Sequence, residues 1–88
     1  MNENKLENLR KEIDIVDDKI VELFAKRFEI VKQIGVLKKE NKIDIVDNKR
    51  FQKVLEKVKN LAEKNGISKK FIHEIYEKIH DYSCDLEK

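Results

Sequence analysis

The chain is 88 residues long, with 43% charged residues, 7% aromatics, two glycines and no proline. That length holds one domain, residues 1–88, which buries a smaller share of its surface than a larger protein does, and the scarcity of helix breakers predicts an all-α fold. Twenty basic and eighteen acidic side chains leave a formal charge of +2, with the two signs interspersed, so the balance does not demand nucleic acid. The lone Cys84 has no internal disulfide partner, and His73 and His80, seven residues apart, have no companions at metal-ligand spacing. No metal is expected, and Cys84 reads as a small packing residue in a reducing cytoplasm. The opening MNENKLENLRKE is too polar for a signal peptide, and no apolar run approaches the ~20 residues that span a bilayer. A soluble, cytoplasmic protein without a membrane partner is the expectation.

From Leu6 onward the apolar residues keep heptad register. Leu6, Ile13, Ile20 and Ile34 hold one position, and Leu9, Val16, Leu23, Ile30 and Leu37 hold the other. The pattern predicts one helix from about Asn4 to about Asn41, roughly 55 Å at 1.5 Å per residue and too long to be covered by its own short chain. Val21, Phe24, Phe28 and Val31 widen the stripe, which favours contact with more than one neighbouring helix over a two-stranded zipper. Asn41–Asp47 breaks the register and reads as a loop ending in an Asp suited to N-capping.

A second helix follows from about Asn48 to Lys64, with Phe51, Val54, Leu55, Val58, Leu61 and Ala62 on its apolar face and Asn65-Gly66 as a left-handed stop. Ser68 caps a third helix, which carries Phe71, Ile72, Ile75, Tyr76 and Ile79 at helical spacing and runs to about Leu86.

Charged residues carry information where this pattern asks for a hydrophobe. Arg27 fills the heptad position otherwise held by Leu6, Ile13, Ile20 and Ile34, so either a bound anion or a structural carboxylate must meet it. Lys38 lies eleven residues on, about three turns, and is displaced by only about 20° around the axis, so the two can face one cleft unless Lys38 is simply solvated. Arg10 is rotated about 100° from Arg27. It either pairs with Asp14 on the surface or serves a site on a partner chain. Ser83 and Glu87 prolong the apolar line Ile72, Tyr76, Ile79. The bland alternatives are a back-bond to the preceding turn for Ser83 and a frayed terminus for Glu87.

Taken together, LRKEIDIVDDKIVELFAKR, then GVLK, then DNKR, then a last helix with YSCDLE resembles the all-helical class of chorismate mutases over nearly the whole chain. The resemblance implies three helices per subunit in an intertwined homodimer, two active sites each built from both chains, and conversion of chorismate to prephenate in aromatic amino-acid biosynthesis without metal or cofactor. It also implies roles. Arg27, with Arg10 of the partner, would hold the two substrate carboxylates, assisted by Arg50 and Ser83. Lys38 would bind the ether oxygen, Asp47 would sit at the ring hydroxyl, and Glu87 would occupy a position, usually Gln, that donates a second hydrogen bond to the ether oxygen. Such a set is chemically coherent, because a dicarboxylate suits paired guanidinium groups with planar two-donor geometry.

One position departs from the pattern. The family usually has Glu after the residue matching Arg50, in contact with the ring hydroxyl, and this chain has Phe51. Either Asp47 and backbone groups suffice, or Gln52 substitutes, or substrate preference changes. The competing readings are therefore a lyase of the same fold that splits pyruvate from isochorismate, and a non-catalytic helical dimerisation or regulatory module.

Overall fold

The computed structural model describes residues 2–88, and these form three helices with no strand. α1 spans Asn2–Glu40, α2 Asn48–Lys64 and α3 Lys69–Glu87. The chain divides into two compact units, Met1–Ile30 and Val31–Lys88.

The first unit is helical throughout its described residues. No proline interrupts it, and Glu3 lies in the first turn, where a negative charge favours the exposed N–H groups. Its apolar stripe is open. Leu6, Leu9, Ile13, Val16, Ile20 and Leu23 are each between 44% and 65% exposed. Phe24 and Phe28, one turn apart, stack with ring centroids 5.9 Å apart.

In the second unit, local chemistry fixes each chain reversal. At the end of α1 Lys42 adopts a positive φ of 54°, its N–H reaching Lys39 O at 3.4 Å while the Ile43 N–H reaches Lys38 O at 2.8 Å. The end of α2 repeats this arrangement with Gly66 at φ 71°, where the Gly66 N–H binds Glu63 O and the Ile67 N–H binds Ala62 O. Both are Schellman stops, one using the glycine that suits a left-handed turn and the other a lysine that does not. Asp47 Oδ1 accepts the Arg50 N–H at 3.0 Å and so caps α2; Ser68 Oγ accepts the Phe71 N–H at 3.2 Å and caps α3. The two predicted caps and the Asn65-Gly66 stop therefore stand where the sequence puts them.

α2 and α3 pack against each other. The buried apolar residues of this unit are Val31, Leu55, Ala62 and Ile79. Leu61 and Phe71, expected on buried faces, are each 54% exposed: helical spacing assigns them to the apolar side, but nothing among the described residues covers that part of it.

Candidate functional site

The last turns of α1 and α3 meet at Gly35. A Cβ added there would lie 2.8 Å from Glu87 Cα and 2.9 Å from Glu87 O, closer than real Cβ atoms come, so only glycine permits this approach. The contact brings the Glu87 side chain to Lys38, one turn after Gly35 on the same helix. Lys38 Nζ lies 2.6 Å from Glu87 Oε1, with the two side chains only 17% and 8% exposed. Glu87 is therefore buried and not a frayed, solvated end, although it is one residue from Lys88.

Lys38 is held from a second direction. Its ammonium donates to Ile45 O at 2.7 Å, so the loop between α1 and α2 closes over it. An ammonium has three N–H donors, which leaves capacity for a further acceptor. Glu87 Oε1 is shielded from solvent yet lacks an aligned hydrogen bond, so the Lys38 contact acts as an ion pair with the donor off axis. A shielded, charged pair with spare donor capacity on one side and an unaligned oxygen on the other is suited to receive a polar ligand. Ser83, one turn before Glu87 on α3, is buried as well. The two polar residues that prolong the α3 apolar line do face inward.

The same face of α3 continues through Cys84 to His80. Cys84 Sγ lies 3.6 Å from His80 Nε2, and the His80 ring stacks on Phe51 with centroids 3.8 Å apart and planes 11° from parallel. Burial pushes the Cys84 thiol up, Glu87 adds to the shift and Lys38 opposes it. Cys84 thus stays a neutral thiol at ordinary pH and is no activated nucleophile. Sequence reasoning weighed His80 only as a metal ligand. Its spacing of three from Ser83 and seven from Glu87 is the signal that places it on the site's face.

The remaining expected site residues fall in different surroundings. Arg50 and Asp47 are exposed at the start of α2, and Asp47 uses one carboxylate oxygen as the helix cap, whatever else it binds. Gln52 lines a groove between α2 and α3 together with Lys59, Asn60, Lys69 and His73. In the first unit, Arg27 is half-buried, and Arg10 is exposed and paired with Glu7 at 3.0 Å, not with Asp14. With both partners about 60% exposed, that pair contributes at most about 1 kcal/mol and does not explain the choice of arginine. Among the described residues, no group of three or more His, Cys, Asp and Glu is placed to hold a metal ion, and no helix is long and apolar enough to cross a membrane.

Residues 9–88 match the family described as chorismate mutase type II. The chain belongs to that family. Among curated relatives it is 39% identical over 70 residues to the T-protein of Haemophilus influenzae, a match covering 80% of this chain and 19% of that protein. It is 35% identical over 85 residues to a bifunctional chorismate mutase/prephenate dehydratase of Buchnera aphidicola, covering 97% of this chain and 22% of the relative. The chorismate mutase of Methanocaldococcus jannaschii is 26% identical over 84 residues, which is 96% of this chain and 85% of that one. The chain thus spans about a fifth of the length of the first two relatives and most of the third. No solved structure matches it.

Proposed function

We propose that the chain is a single chorismate mutase domain that converts chorismate to prephenate in the cytoplasm, acting as an intertwined homodimer with two shared sites and no metal or cofactor. The observation that carries this reading is the shielded Lys38–Glu87 pair beside Ser83, in a chain of the type II chorismate mutase family. The reaction rearranges one substrate, breaking a C–O bond and forming a C–C bond in a single pericyclic step, so it needs neither nucleophile nor base. The protein's part is to hold the flexible substrate in its compact conformer and to aim donors at the ether oxygen as negative charge grows there. Lys38 is that donor. Arg27, and Arg10 of the partner, clamp the two carboxylates, with Arg50 and Ser83 assisting, and Asp47 meets the ring hydroxyl with the oxygen not engaged in capping. Glu87 contributes a second donor to the ether oxygen when it carries a proton, since a carboxylate only accepts.

The open apolar stripe of α1 supports the dimer. Six residues about half exposed would each add roughly 1 kcal/mol on further burial, enough to favour a second copy over a free monomer. The interspersed charges give no reason for a nucleic-acid or membrane partner. Phe51, stacked on His80 without a hydroxyl acceptor of its own, favours one alternative, lysis of isochorismate by the same clamp.

One assay separates the readings. Loss of chorismate absorbance with prephenate as product is the expected result. Pyruvate released from isochorismate, with chorismate untouched, would assign the lyase reaction, and turnover of neither compound would leave a non-catalytic helical module.

A further inference from the structure

We infer that His80 is a specificity-determining residue that hydrogen-bonds the ring hydroxyl of the bound substrate. The inference rests on the mutase reading and supplies what Phe51 lacks. Four side chains, His80, Ser83, Cys84 and Glu87, share one face of α3 over about two turns. Glu87 marks the end of that face at Lys38, and Cys84, between Glu87 and His80 in the chain, touches His80. His80 thus stands about two helical turns before Glu87 on the face that carries the ion pair. At its other side its ring lies flat on Phe51, the residue that follows Arg50.

A hydroxyl both donates and accepts, and so does a neutral imidazole. Near the start of α2, Asp47 meets the hydroxyl from an exposed position with one oxygen committed to the Arg50 N–H, which leaves the hydroxyl a second hydrogen bond to make. Phe51 has no polar atom. Gln52 lines the groove shared with Lys69 and His73, and His73 stands seven residues before His80 on α3. The imidazole is held across its face by Phe51 and at its edge by Cys84, so its orientation is set before a ligand arrives. Phe51 then serves as the platform for the group that reads the hydroxyl.

The test compares wild type, His80→Leu and His80→Asn on chorismate and on an analogue lacking the ring hydroxyl. His80→Leu should lower kcat/KM for chorismate by roughly tenfold or more, mainly through KM, and leave the analogue's value nearly unchanged. His80→Asn, which keeps a donor and an acceptor, should recover much of the loss. In the wild type, adding prephenate, which retains a ring hydroxyl, should move the imidazole nitrogen resonances of His80 and leave those of His73 in place. Equal losses on both substrates, no loss on either, or unmoved His80 resonances would reduce His80 to a packing partner of Phe51 and overturn the inference while the mutase reading stands. A wild type that turns over no chorismate would overturn the reading beneath it as well.

Discussion

The first turns of α1 and the last turns of α3 obey the same helical periodicity and end in opposite surroundings. Leu6, Ile13 and Ile20 recur every seven residues and are 44–58% exposed, whereas Ile79, Ser83 and Glu87 recur every four and are all under 9% exposed. In α1, hydrophobes that ought to be covered are open; in α3, polar groups that ought to be solvated are closed in. The first mismatch is what an unmet partner surface looks like, and the second is what a ligand site looks like, because neither arrangement lowers the free energy of an isolated chain. Periodicity names the face of a helix. It does not name what lies against that face.

The closed region is the easier to break. In Gly35→Ala the added methyl group meets the Glu87 backbone at under 3 Å. Overpacking costs about 1–3 kcal/mol, but alanine recovers about 1 kcal/mol of helix propensity. We expect turnover to fall at least tenfold as Lys38 and Glu87 separate, with a change in thermal midpoint of only a few degrees. Full activity in a folded Gly35→Ala protein would mean that the close approach does not serve the site.

Replacing Glu87 with Gln sharpens the same region. An amide donates, whereas a carboxylate only accepts, so Glu87→Gln should turn over chorismate faster than the wild type at neutral pH. A variant no faster than the wild type would leave Lys38 acting alone on the ether oxygen.

The smallest effect concerns the two helix stops. Lys42 holds a left-handed conformation that costs a non-glycine residue roughly 1–2 kcal/mol, whereas Gly66 adopts the same conformation without that strain. Lys42→Gly should raise stability by about 1 kcal/mol, a gain of several degrees in thermal midpoint, and leave turnover unchanged. A loss of stability would mean that the Lys42 side chain contributes more than its backbone strain costs.

Much of this was legible in the sequence. The caps at Asp47 and Ser68, the stop at Asn65-Gly66 and the range of α2 follow from residue types acting on their own neighbours, so they read correctly one segment at a time. The burial of Ser83 and Glu87 was legible as a pattern, with the alternative of a frayed end left open until the contact with Gly35 decided it. The meeting of Lys38 and Glu87 followed only from the family resemblance, which sends both to one ether oxygen; the ammonium bond to Ile45 O and the His80–Phe51 stack were not legible, because each joins segments whose approach depends on packing. Lys42 was missed for another reason: nothing in a lysine announces a left-handed turn, and the backbone bonds to Lys38 O and Lys39 O impose it.

We propose that the open stripe of α1 and the closed pair of Lys38 on α1 with Glu87 on α3 belong to one catalytic unit assembled from two chains. Arg10→Ala and Lys38→Ala proteins, prepared separately, should each form dimers and retain helical content. Each should be nearly inactive, since removing one preorganised donor of this kind costs roughly 10²–10³-fold in rate. When the two are unfolded together and refolded, heterodimers should regain activity, because one of their two sites then carries both native residues. Mixed dimers, verified by differential tagging, that remain as inactive as the parents would contradict the shared site.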